Sequence, residues 1–184
     1  MARADQQVAL VDCDLRLGQA HQAFGVSDSR GLTSVLTGEM TLDEALQNAR
    51  VGEDLVAVLA TGPTAPDPSE LLSSKRAAQL FLELAERFDA VVVDSTPVLP
   101  VTDATVLAAW MDATLLVARA GVTMRRDLRL SVEALRQAGA PLVGMVLNQV
   151  EWVSTYAYGH ASGDPRRRGR RSRRSRRSEL RRPE

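Results

Sequence analysis

A mostly parallel α/β sheet flanked by helices is the architecture this sequence predicts, and two observations carry it. Five short apolar runs recur along the chain: VALVD (8–12), LVAVLA (55–60), AVVVDS (90–95), ATLLVA (113–118) and LVGMVLN (142–148). They are continuous rather than alternating, which suits strands buried on both faces of a parallel sheet. Segments of helical texture separate them, and strand alternating with helix defines the class.

The elements follow in order. After the first run come GLTSVLTG and LDEALQNA, two helical stretches within 31–49. The second run leads into TGPTAPDPS (61–69), whose three prolines break both periodicities and predict a loop. One helix is predicted over 69–88, then the third run, a helix over 101–111, and the fourth run. The last helix, 123–139, has the clearest signals: Thr123 to cap its start, Leu128, Val132 and Leu135 on one face, and Gly139 where a C-terminal cap belongs. After Val153 the texture changes to STYAYGHASGDP and then an arginine-rich, low-complexity segment expected to be disordered. The predicted division is therefore a domain over 1–153 and a tail over 154–184.

Composition narrows the function classes. The formal charge is +0 over 184 residues, but residues 1–164 carry 12 basic and 21 acidic side chains and residues 165–184 carry 11 and 2. An acidic body thus precedes a strongly basic tail. Cys13 is the only cysteine, which excludes an internal disulfide and fits a reducing compartment, the cytoplasm. The most apolar neighbourhood, 104–120, is interrupted by Asp112 and Arg119 and is too short for a membrane helix.

Chemistry concentrates at the ends of two predicted strands. In a parallel α/β sheet ligands bind beyond the carboxyl ends of the strands, and Asp12, Asp14 and Asp94 are placed there. Residues two apart on a strand share a face, so Asp12 and Asp14 are expected to converge while Cys13 turns away. Carboxylates gathered near one point call for a cation, and magnesium, held through one or two carboxylates, water and substrate phosphates, is the candidate. Each aspartate taken alone also reads as a turn former or a helix cap. Cys13, flanked by both aspartates, reads as a small core residue rather than a nucleophile. His21 and His160 lack metal-ligand partners in the sequence.

These stretches resemble a known family. VALVDCDLR is similar to the second acidic motif, Walker A′, of the bacterial tyrosine kinases of capsule and exopolysaccharide synthesis, and VVVDSTPVLPVTDA to their Walker B strand and following loop. GLTSVLTGEMTLDEAL, ATGPTAPDPSELLSS, DATLLVARAGVTMRRDL and QAGAPLVGMVLNQV extend the resemblance over about residues 8–150. It implies the deviant P-loop ATPase fold shared with partitioning and division-site ATPases, with ATP and Mg2+ as cofactors. Asp12 and Asp14 would take the Walker A′ roles, one near the metal and one favouring the acceptor hydroxyl, and Asp94 would bind magnesium through water. Asn148 would read the adenine edge; by itself it reads equally as a strand-end cap. Tyr156 and Tyr158 would be the phosphoacceptors, in place of the family's richer tyrosine cluster, or else an ordinary exposed pair. The resemblance also implies a ring-shaped homo-oligomer and activation by a membrane polysaccharide chain-length regulator, which would hold the protein at the inner face of the cell membrane.

Two departures stand out. No stretch contains the phosphate-cradling loop G-x-x-x-x-G-K-[ST], and the only lysine is Lys75, on a predicted helix. The sequence therefore reads as an N-terminally truncated homologue lacking the P-loop strand and helix, inactive by itself, with unpaired backbone groups expected where that strand belongs. Thr96 stands where the family usually has a second proline. Two other readings remain at this point: a catalytically dead interaction module docking on the chain-length regulator, and a partition-type ATPase. In the second, the arginine tail would hold nucleic acid or an anionic surface by counterion release. The tail has no aromatic residue for base stacking, and Ser172, Ser175 and Ser178 lie in arginine contexts open to phosphorylation.

Overall fold

The computed structural model describes residues 6–150. Strand β1 (Val8–Asp12) lies at the heart of the first sheet, pairing in parallel with β3 (Asp54–Leu59) on one side and β4 (Ala90–Asp94) on the other. Its sequence explains the position. Ala9 and Val11 are fully buried, Val8 nearly so, and only Leu10 is partly open. A fourth strand, β2 (Gln47–Val51), adds antiparallel to the far side of β3, giving the order β2-β3-β1-β4.

β2 lies where the sequence predicts helix. The run LDEALQNA does begin as helix α3 (Leu42–Ala45), held by a capping box in which Thr41 and Glu44 bond each other's backbone N–H. It stops after one turn. Gln47 to Val51 extend instead, and Gly52, at φ +67°, turns the chain into β3. Edge pairing supplies what the short polar strand lacks in burial.

Other helices form near their expected places with shifted bounds. A short helix α1 (Ala20–Phe24), not expected, precedes α2 (Leu32–Thr37). The predicted 69–88 helix is two: α4 (Pro68–Leu72), begun by Asp67 as cap with Pro68 in its first turn, and α5 (Lys75–Arg87), capped by Ser74. Helix α6 (Asp103–Ala108) precedes β5 (Thr114–Arg119), and α7 (Arg125–Gln137) precedes β6 (Leu142–Asn148). Thr123 does not cap α7: its hydroxyl accepts from Arg119 N–H at 2.9 Å, and Met124 occupies the cap position. Gly139 does end α7, at φ +75°.

The main core lies between the first sheet and helices α2, α4 and α5, with Leu32, Leu59, Leu72 and Leu84 fully buried. A second, smaller cluster joins Ala108 of α6, Leu116 of β5 and Leu135 of α7. No helix among the described residues is long and apolar enough to cross a membrane.

Strands β5 and β6 pair in parallel as a separate two-stranded sheet. Among the described residues, β4 has only β1 as a strand neighbour and β5 only β6. The sequence predicts strands buried on both faces, but β5 alternates: Leu116 and Ala118 are buried while Leu115 and Val117 are 60% and 61% exposed. Val92 of β4 is likewise 46% exposed. Apolar side chains stay open here because no described element covers that face.

Leu84→Ala should lower the unfolding free energy by about 2–5 kcal/mol, through lost burial plus the cavity left behind. The measurement is the urea midpoint, with Leu82→Ala, on the exposed side of α5, as a control expected to stay within about 0.5 kcal/mol of wild type.

Candidate active site

The carboxyl ends of β1 and β4 bring the predicted aspartates together. Asp12 and Asp94 are directly opposed in the parallel register, and Cys13 N–H donates to the Asp94 carbonyl at 2.8 Å, carrying the pairing one residue past the strand. Asp12 is fully buried. Its Oδ1 accepts from Asp14 N–H at 3.1 Å and its Oδ2 from Ala20 N–H at 2.9 Å. A buried charge is tolerated only with such partners. The carboxylate therefore fixes the loop that leaves β1, and it does so from inside.

Gly18 completes this packing. A Cβ there would lie 2.6 Å and 2.8 Å from the two Asp12 oxygens and 2.3 Å from Thr61 Cγ2. Only glycine lets the loop close over the buried carboxylate.

Asp14 lies beyond the strand and is partly exposed. Its Oδ1 accepts from Arg16 N–H at 3.2 Å and Leu17 N–H at 3.0 Å, while its carbonyl accepts from Gly18 N–H at 2.7 Å. The turn-former reading of a strand-end aspartate thus describes Asp14's local geometry, and it is compatible with a site role because one oxygen does all of the capping. Asp94 is exposed, and its Oδ1 accepts from Ser95 N–H at 3.1 Å. Partial burial pushes the Asp94 carboxyl above its ordinary range, the charges of Asp12 and then Asp14 push the same way, and the Ser95 N–H opposes them.

This donor set suits a divalent cation. Asp94 offers an accessible carboxylate, Asp12 a fixed negative charge behind it, and Asp14 a further charge at the rim; magnesium commonly keeps several waters and binds through one or two carboxylates. No group of three or more His, Cys, Asp or Glu side chains that could hold a metal ion occurs among the described residues.

Cys13 is fully buried, and its thiol is pushed well above its ordinary value by burial first, then by Asp12 and Asp94. It is a core residue, as the sequence suggests. Asn148 ends β6, in the other sheet; it is exposed, and its Oδ1 accepts from Gln149 N–H at 2.8 Å, the geometry of a strand-end cap. Tyr156, Tyr158, the boundary near residue 153 and the arginine tail lie outside the described residues.

One cluster at the site went unnoticed in the sequence. Arg16 Nε donates to Asp103 Oδ2 at 3.1 Å, Arg16 Nη2 to Ser69 Oγ at 3.0 Å, and Ser69 Oγ to Asp103 Oδ1 at 2.6 Å. Two segments, 53 and 87 residues further along the chain, meet Arg16 there. Local pattern gives no signal for such a contact.

Comparisons with known proteins give the family and the fold. The tyrosine-protein kinase etk of Escherichia coli K12 is 38% identical over 160 residues, covering 87% of this chain and 22% of its own length. The solved kinase domain of Escherichia coli tyrosine kinase ETK superposes with a TM-score of 0.78 at 37% identity, over 86% of this chain and 62% of that one. The VpsO kinase domain gives a TM-score of 0.73 at 32% identity, over 79% of this chain and 71% of that one. The chain belongs to the bacterial tyrosine-kinase family. Its fold is that of the P-loop ATPases: MinD from Aquifex aeolicus, at 18% identity, still superposes with a TM-score of 0.62. No family profile matches the chain. The chain spans about a fifth of the length of the first curated tyrosine kinases it matches.

Because Asp94 titrates above the ordinary range, the unfolded chain releases that proton at lower pH than the folded one, so folding stability falls as pH rises through the interval between the two values. Asp94→Asn should remove this slope and be more stable than wild type at neutral pH without added metal; urea melts from pH 4 to pH 8 check it. Cys13 should resist a thiol reagent such as dithionitrobenzoate in the folded protein and react fully in denaturant, as followed by absorbance.

Proposed function

We propose that residues 6–150 carry the carboxylate half of an ATP–magnesium site, in a tyrosine autokinase domain regulating exopolysaccharide or capsule synthesis. The observation that carries this reading is the pairing of Asp12 with Asp94 at adjoining strand ends and Asp14 two residues on, the Asp94 carboxyl being raised by partial burial first and then by the charges of Asp12 and Asp14. Magnesium, when bound, would neutralise charge on the transferring phosphates. Asp94 would hold it through water, Asp12 would supply a fixed charge beside it, and Asp14 would favour loss of the acceptor hydroxyl's proton. Asn148 meets the adenine edge, and Tyr156 and Tyr158 receive phosphate.

The phosphate loop comes from a further segment of polypeptide, a strand seated between β4 and β5 and the helix after it. This is supported by the exposed apolar residues Val92, Leu115 and Val117 on strands whose other neighbour is missing among the described residues. It is also supported by the buried hydroxyls of Thr96, just after β4, and Thr114, at the start of β5, which have no hydrogen-bond partner there. Partners follow from the same reading: further copies of the kinase in a ring, and a membrane chain-length regulator that places the domain at the inner face of the cell membrane.

The test joins a P-loop-bearing segment from a related kinase to the chain and follows phosphate on Tyr156 and Tyr158 by mass spectrometry, with ATP and Mg2+. Phosphate is expected on one or both, reduced at least about a hundredfold by Asp94→Asn or Asp14→Asn. The 184-residue chain by itself should show none. No label in the completed protein would reject kinase action at these tyrosines and favour the interaction-module reading, for which the missing G-x-x-x-x-G-K-[ST] loop is the supporting observation.

A further inference from the structure

We infer that Asp103 and Ser69 act as a clamp that holds the Arg16 guanidinium away from the aspartate cluster, and so preserve the negative charge on which cation binding depends. The inference rests on the cation reading of that cluster.

Arg16 belongs to the turn built on Asp14, since its own N–H donates to Asp14 Oδ1. Its side chain is long enough to fold back on that carboxylate, so an untethered arginine here would be free to pair with Asp14. The structure shows another arrangement. Both guanidinium nitrogens in use are committed to a closed triangle with Asp103 and Ser69, and the Asp103 side chain has no exposed surface while that of Arg16 keeps 38%. The hydroxyl serves both partners, donating to the carboxylate and accepting from the guanidinium.

The buried carboxylate makes this pairing the stronger one. Asp103 sits in low dielectric, where an unpaired charge is expensive, whereas Asp14 is partly open to water and already capped by two backbone N–H groups. Arg16 therefore stays with Asp103. The clamp also ties the Asp14 turn to α4 and α6, so the residues that set the cluster's charge set its position too. Arg16, Ser69 and Asp103 are positioning residues.

The test uses the full 184-residue chain and two readouts. Mn2+, as a paramagnetic substitute for magnesium, is titrated and followed by electron paramagnetic resonance, and the carboxyl carbon-13 signal of Asp14 is recorded without metal. In Asp103→Asn the freed guanidinium should reach Asp14, weakening Mn2+ binding at least about tenfold and moving the Asp14 signal. Ser69→Ala, which leaves the ion pair, should give a smaller change in the same direction. The deciding variant is Arg16→Gln combined with Asp103→Asn: removing the freed charge should restore both readouts towards wild type, which simple structural damage would not do. An unmoved Asp14 signal in Asp103→Asn, or no recovery in the double variant, overturns the clamp even if wild type binds Mn2+. A moved and recovered signal in a protein that binds no Mn2+ upholds the clamp and rejects the cation reading instead.

Discussion

The buried carboxylate of Asp12 is the constraint on which the strand-end geometry depends. Removing a carboxylate from water costs several kcal/mol, and here the offset comes from two backbone N–H groups, those of Asp14 and Ala20, that lie on opposite ends of the loop after β1. Satisfying one charge thus closes a loop of the chain. That closure brings Gly18 against the same carboxylate at a distance no side chain permits, turns Asp14 outwards, and starts α1 at Ala20. On the other side Asp12 is level with Asp94 in the sheet register. The charge that organises the loop therefore adds to the effect of partial burial in raising Asp94.

This arrangement divides labour among three chemically identical side chains. Asp12 is buried with each oxygen accepting one backbone N–H, Asp14 spends one oxygen on its turn, and Asp94 is exposed yet disfavoured as an anion by partial burial first and then by the charges of Asp12 and Asp14. A cation would relieve a carboxylate disfavoured as an anion by burial and by two like charges. Burial first, and the same field second, keep Cys13 a thiol, since its thiolate would be a fourth negative charge in a buried place.

What could be read from the sequence, and what could not, follows from the range of the interactions involved. The five apolar runs became β1, β3, β4, β5 and β6 because burial in a parallel sheet leaves a local signature. β2 did not: Gln47, Asn48 and Arg50 carry no strand pattern, and the segment extends only because β3 offers an edge. Thr123 looked like a cap because its spacing was right, yet the turn at Arg119 claimed its hydroxyl. Asp12 and Asp94 were legible because each closes an apolar run, and Asp14 because it lies two residues past one of them. Arg16, Ser69 and Asp103 were not, since their meeting is a product of tertiary packing across 53 and 87 residues.

The open strands connect these two levels. A parallel sheet gains from cover on both faces, and the exposed Val92, Leu115 and Val117 show apolar sequence in excess of what the described helices cover. An additional strand between β4 and β5 would pair the open edges of both sheets, and a helix following it would shield those side chains. Its carboxyl end would lie beside Asp94, on the side away from Asp12. Phosphate-binding N–H groups placed there would face the one aspartate of the three that is exposed, so a single added segment would complete both the sheet and the proposed site.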